Sequence, residues 1–268
     1  MHPIERLRYV ARASGVPATV IVQETASALA SFGDDPHGLI TACQRVVARQ
    51  PTSAPLVWFA ARVVTSGDPA SEIWEASGHL HADRTPAELA AALPDEATVV
   101  VLGWPDQIGE ALPRRGDLEV LVVDVLGEGT GLTRRLWQVD VPAVDVPPAG
   151  LGAAVADADL VLLEAAAIAP TEFLAVAGSR AAAAVARHAG VPVWLVGGVG
   201  RLLPQRMWEG MRSRLEADGA APWELDEEVV PLELVDRIAG PAGVHEVDAA
   251  LRLTDCPVAL ELFRGVVM

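Results

Sequence analysis

The chain has 268 residues, half of them hydrophobic, which is enough for one large domain or two modest ones with a substantial core. Its 36 acidic residues outnumber 20 basic ones, for a net charge of -16, and this acidity excludes the basic face of a direct nucleic-acid binder. Every basic residue is Arg, so a Schiff-base lysine, a P-loop lysine and a lysine general base are all excluded. The Ala, Val, Gly and Arg richness fits a GC-rich coding bias.

The first residues, MHPIERLRYVARASG, are charged and amphipathic and lack the apolar core of a signal peptide. The apolar runs are broken before the ~20 residues a membrane span needs. A cytoplasmic protein with no membrane association is expected. Ile4, Leu7, Val10 and Ala11 recur at helical spacing between Pro3 and Gly15. Pro17 to Ser31 and Pro36 to Arg49 are two further helices, separated by a turn at Gly33-Asp34-Asp35. Leu56 to Val64 continues the pattern until Gly67-Asp68-Pro69 breaks it. Pro86 to Leu93 is a short helix with Thr85 as its cap and Glu88 in capping-box position.

The composition then changes. Thr98 to Leu102, Val120 to Val123, Leu160 to Leu163 and Val193 to Val196 are apolar runs with the look of buried strands; Val139 to Val146 is Pro-interrupted. Helical stretches near Asp106 to Leu112, Leu132 to Trp137, Leu151 to Ala156 and Ser179 to His188 lie between them. Strands that are apolar throughout are covered on both faces. The alternation therefore predicts an α/β fold: an N-terminal helical domain over 1–94, then a Rossmann-like, doubly wound parallel sheet over 95–268. Pro204 to Met268 holds one amphipathic helix with Met207, Met211 and Leu215 on its apolar face, followed by irregular segments.

The stretch 157–200 is the richest. Strand Leu160 to Leu163 runs into a loop holding Glu164. Gly178 and Ser179 then open an Ala-rich helix that ends at Gly190, and Val191-Pro192 leads into Val193 to Val196. Such a loop lies where these folds place their chemistry, yet it carries few reactive residues.

Four segments resemble the methylthioribose-1-phosphate isomerase family. Gln50-Pro51-Thr52-Ser53-Ala54-Pro55-Leu56 is similar to its RPTAVNL motif, and 157–200 to its GAD…NKIGT…GIPVYV region. Val122-Val123-Asp124 with Gly131 resembles its V-x-x-E…G segment, and Asp255-Cys256-Pro257 its C-terminal D-x-T-P. The family includes ribose-1,5-bisphosphate isomerases and the alpha, beta and delta regulatory subunits of eukaryotic translation initiation factor 2B. The resemblance implies a helical N-terminal domain, a Rossmann-like C-terminal domain and a homodimer.

The departures concern chemistry. Where the isomerases have a T-H-C segment, this chain reads Leu102-Gly103-Trp104. The family's catalytic Asp falls on Ala165, its Asn and Lys on Ala175 and Val176, and the Arg of RPTAVNL on Gln50, beside Arg49. Aldose–ketose isomerisation needs a proton donor and acceptor on neighbouring carbons; Glu164, one place before Ala165, supplies one only if a one-residue shift brings it inward, and is otherwise a strand-end carboxylate that is solvated or paired with an Arg. Gly178-Ser179-Arg180 at a helix start suits an anion, with an N-cap serine and a surface arginine as the simpler account. The resemblance extends the candidate ligand-binding set to Arg49, Gln50, Thr52, Gly103, Trp104, Asp124, Gly178, Ser179 and Arg180.

Other signals weigh less. Gly197-Gly198-Val199-Gly200 lacks the full dinucleotide pattern and reads as a tight strand exit. His79-x-His81 lacks further ligands at metal spacing and reads as a solvated loop. No cofactor is implied. Cys43 and Cys256 read as buried, inert thiols, and Trp58, Trp137 and Trp194 as core. Trp104 either fills the pocket of the missing Cys or packs at a domain seam. The preferred expectation is a catalytically degenerate relative of these isomerases and regulatory subunits, with a regulatory sugar-phosphate or nucleotide ligand. The alternatives are an active isomerase using Glu164 and an unrelated Rossmann-like nucleotide-binding enzyme.

Overall fold

A computed structural model describes residues 17–32, 35–216 and 219–264. The first expected helix and the Gly33-Asp34 part of the expected turn lie outside the described residues. In chain order, helices α1 (Ala18–Leu29), α2 (Pro36–Arg49), α3 (Ala54–Thr65), α4 (Pro69–His81) and α5 (Thr85–Ala92) come first. Then follow β1 (Thr98–Leu102), α6 (Asp106–Ala111), β2 (Glu119–Val123), α7 (Gly129–Trp137), β3 (Ala143–Val146), α8 (Leu151–Asp157) and β4 (Leu160–Ile168). The chain continues through β5 (Glu172–Val176), α9 (Ser179–Ala189), β6 (Val193–Val196) and α10 (Gln205–Glu216). It ends with β7 (Glu227–Pro231), β8 (Arg237–Gly240), β9 (Gly243–Glu246) and α11 (Val247–Leu251).

These elements form two compact units. The first holds the described residues up to Asp83 together with Val199–Gly219 and those from Thr254 on; the second holds Arg84–Gly198 and Ala220–Leu253.

In the first unit α3 is apolar almost all round, and it is the central helix, touching α1, α2 and α4. Its neighbours start on matching signals. Asp35 and Asp68 precede Pro36 and Pro69, and each carboxylate accepts from a first-turn N–H, that of Gly38 at 2.9 Å and that of Ser71 at 3.2 Å. The fully buried Trp58 donates its indole N–H to Asp255 at 3.0 Å, and the Arg62 guanidinium lies 5.0 Å over its ring. Gln44 reaches the Glu261 carbonyl and Arg214 the Leu262 carbonyl, so late residues complete the early helices. Gly200 has φ +77 and lies against Pro55 and Trp58.

The second unit is a sheet in the order β3-β2-β1-β4-β6-β8-β9, parallel except for the edge strand β9. β1 is followed outward by β2 and β3, and the chain then returns to place β4 on the other side of β1. The strand order reverses there, which makes the carboxyl ends of β1 and β4 the switch point of the fold. β1 is buried along nearly its whole length because α5, α6 and α7 contribute to an apolar layer against it. Arg115 ties this layer together. It donates to the Ala90 and Leu93 carbonyls at the end of α5, and its hydrogen bond to Asp117 holds that carboxyl well below the usual carboxylate range.

Several sequence expectations are corrected. β4 does not stop at Leu163. It passes Glu164, bulges between Ala165 and Ala167, and turns back at Pro170-Thr171 to pair with β5, which in turn pairs with β7. The expected loop is thus an antiparallel hairpin, missed because alanine marks strands poorly. The expected irregular C-terminal segments contain β7, β8 and β9. His79 and His81 lie in the last turn of α4, not in a loop, and Ile73, Ala76 and Leu80 are its buried face. Arg84, not Thr85, is the cap of α5; Thr85 is buried inside the first turn, while Glu88 pairs with Arg84 at 2.6 Å. Trp137 is 62% exposed, because it ends its helix at the sheet edge and donates to the Ala143 carbonyl. Among the described residues no helix is long and apolar enough to cross a membrane.

A Cβ at Gly200 would stand 3.1 Å from Pro55 and the Trp58 ring, on a backbone that L side chains rarely adopt. Gly200→Ala is expected to lower unfolding free energy by about 2 kcal/mol in urea titrations. Gly67→Ala, with open space around it, should change stability by less than about 0.5 kcal/mol.

Candidate functional site

The carboxyl ends of β1, β2 and β4 meet the first turns of α6, α7 and α9 in the second unit. A helix start presents N–H groups with no backbone acceptor, so each needs a partner. Here each partner is a carboxylate of the chain. Glu164 Oε2 accepts from the backbone N–H of Gln107 at 2.8 Å and of Ile108 at 3.1 Å, on the first turn of α6. Asp124 Oδ1 accepts from Gly129 N–H at 2.8 Å at the start of α7. Glu228 Oε1 accepts from the N–H groups of Gly178 at 2.8 Å and Arg180 at 2.9 Å at the start of α9.

The remaining expected residues fall into place around these caps. Gly103 leaves β1 with φ +62, its N–H donating to the Val123 carbonyl at 2.9 Å. Gly178 has φ +97 and lies against Val125, Leu102 and Leu151, so Val125 closes the space between the end of β1 and the α9 turn. Arg180 is exposed and donates to the Val229 carbonyl at 2.6 Å. Ser179 is fully buried, and its hydroxyl has no hydrogen-bond partner.

Trp104 is 40% exposed and lies between α6 and α7, in the second unit. Its indole passes Gly109 and Gly131; a Cβ at Gly131 would stand 2.6 Å from the ring. Glycine inside a helix costs about 1 kcal/mol relative to alanine, so the two glycines make room for the indole at a cost. Ala165 and Ala175, which by resemblance stand where the isomerases have Asp and Asn, are paired across the β4–β5 hairpin and both are buried.

Arg49, Gln50 and Thr52 belong to the first unit, where they form the end of α2 and the turn into α3. Sequence reasoning missed Glu228. It lies 50 residues beyond Gly178, in a segment without strand-like periodicity, so no local signal pointed to it. Gly197 hydrogen-bonds the Ala239 carbonyl as it leaves β6, and Val199 N–H donates to Asp83, the geometry of a tight strand exit. Among the described residues no group of three or more His, Cys, Asp or Glu could hold a metal ion. Cys43 and Cys256 are both buried and unbridged. Burial pushes the Cys43 thiol up to about 12, and burial with the neighbouring Asp255 charge does the same to Cys256.

This arrangement defines the chain as an α/β protein whose switch-point helix starts are capped by its own carboxylates. The fold is that of the initiation-factor-2B subunits. The chain is similar to translation initiation factor eIF-2B of Pyrococcus horikoshii OT3, at 14% identity and TM-score 0.75 over 93% of this chain and 98% of that one. It is similar to eIF2B beta from Chaetomium thermophilum, at 15% identity and TM-score 0.75 over 97% and 92% of the two chains. It also matches a chain of the tetrameric eIF2B-beta2-delta2 complex from C. thermophilum, at 15% identity and TM-score 0.76 over 94% and 92%. No protein-family model and no curated protein matches the sequence.

Glu164→Ala strips the acceptor from two first-turn amides and is expected to cost about 1–3 kcal/mol in urea unfolding, with Glu164→Gln costing less. Both thiols should resist iodoacetamide at pH 8 until the protein unfolds. Their folded-state pKa values lie above the unfolded value of ~8.5, so the stability they contribute is complete below that pH and is lost as pH rises towards about 12. Unfolding free energy measured from pH 8 upward should therefore fall.

Proposed function

We propose that this protein is a catalytically degenerate counterpart of the isomerase and initiation-factor-2B fold, working through protein contacts and not through turnover. The observation that carries the reading is the alanine pair. Ala165 and Ala175 close the position where the resembled isomerases carry a carboxylate and an amide. Glu164, one residue before, is engaged by two backbone amides of α6. A general base must reach a substrate proton at hydrogen-bond distance, and a carboxylate anchored to a helix start is held away from that task. Trp104, standing where the resembled enzymes have a thiol, adds bulk and no proton chemistry.

The proposed setting is the cytoplasm and the proposed form a homodimer, without direct nucleic-acid contact given the net charge of -16. One structure of the same fold belongs to a tetrameric complex, which supports assembly as a mode of action for such scaffolds. A regulatory sugar phosphate or nucleotide at Gly178, Ser179 and Arg180 is part of this reading, and it would have to displace Glu228.

The purified protein, incubated with methylthioribose 1-phosphate or ribose 1,5-bisphosphate and followed by proton NMR, should form no ketose above the protein-free control. Accumulation of the ketose phosphate that grows with protein concentration would end the reading.

A further inference from the structure

We infer that Glu228 is a resident anion: its carboxylate occupies the place of an external phosphate-type oxyanion on the first turn of α9, and that turn accepts such an anion only when Glu228 withdraws. Three observations meet here. The α9 start is turned by Gly178 at φ +97 so that two N–H groups converge on one oxygen of Glu228, at 2.8 and 2.9 Å. Both donors and the helix dipole favour a negative charge at this point. Between those two amides stands Ser179, fully buried, with a hydroxyl that no group satisfies.

A buried hydroxyl without a partner is a free-energy cost that folded proteins usually avoid. Glu228 leaves that cost standing. Its Oε1 takes both amides, and the planar carboxylate presents only one further oxygen. A tetrahedral oxyanion brings additional oxygens out of that plane and matches a donor set of two amides and a hydroxyl. The exposed Arg180 guanidinium, anchored by one nitrogen to the Val229 carbonyl, adds positive charge at the same start.

The plug sits on a strand paired along one edge only among the described residues. Glu228 faces Ala175 across the β5–β7 ladder, and β7 pairs with no strand other than β5 among the described residues. β7 is entered from an exposed segment in which Trp223 is 84% exposed. The inference does not rest on the absence of turnover, since an active or an inactive protein could carry the plug.

The test uses the full chain, inorganic phosphate as probe, and sodium chloride at matched ionic strength as control, read by thermal unfolding and calorimetry. Wild type should show no saturable response to phosphate. E228A should unfold at lower temperature and regain stability saturably with phosphate, because a ligand that binds only the folded state raises its melting point. E228Q keeps an acceptor oxygen and loses the charge. It should also gain a phosphate response, and it decides the question if E228A does not fold. Adding S179A to the responsive variant should weaken phosphate binding by about tenfold, the scale of one lost hydrogen bond to a charged group. The inference is overturned if neither variant responds to phosphate, if wild type saturates at the same concentration as the variants, or if S179A leaves the affinity unchanged.

Discussion

Backbone N–H groups at the start of a helix have no partner within the helix, and buried ones must find an acceptor elsewhere. In this protein that demand shapes the face where doubly wound sheets hold ligands. Enzymes with such sheets leave the demand to be met by a phosphate or a cofactor. Here the chain meets it with Glu164, Asp124 and Glu228. These first-turn amides thereby have acceptors without any external anion, and the face becomes acidic, in keeping with a chain that has no lysine to offset it. The same groups that stabilise the fold compete with any ligand of like charge.

The apolar parts of this face tell the same story by a different route. Val125 reaches towards Gly178, the Trp104 ring lies along Gly109 and Gly131, and the alanine pair seals the hairpin. A reaction that moves protons needs polar groups poised in a partly dry pocket. Alanine, valine and indole supply dryness and no poise. The fold matches its structural counterparts over nearly the whole length of each chain, and at the switch point these side chains pack against one another.

Much of the fold was legible because strong patterns and strong burial coincide. Thr98–Leu102 and Val193–Val196 are runs of β-branched and large apolar residues buried in the middle of a parallel sheet, and their bounds match the expectation. Asp35-Pro36 marks the start of α2 for a reason visible in the structure, a carboxylate accepting from the first turn. The misreadings have physical causes too. EAAAIAPTEFLAV pairs as a hairpin through tertiary context, since alanine itself favours no strand. α4 has an Asp-Pro start and an apolar spacing at Ile73, Ala76 and Leu80, but Gly67, Ser71, Ser77 and Gly78 weaken its helical pattern. Of the site, the helix start at Gly178 and the carboxylate at Glu164 could be found by eye, whereas Glu228 could not. Its role is set by strand pairing across fifty residues, a contact that composition and periodicity do not encode.

The chain passes repeatedly between its two units, and the first of them is closed by residues from its last stretch. Trp58, made early on the ribosome, waits for Asp255, and Gln44 waits for the Glu261 carbonyl. The α3 helix, apolar on nearly every side, has α1, α2 and α4 to pack on early, but these late partners reach it only after the sheet-bearing segments have emerged. The unit whose helices are made first is therefore complete only after the whole of the other unit's chain has been made.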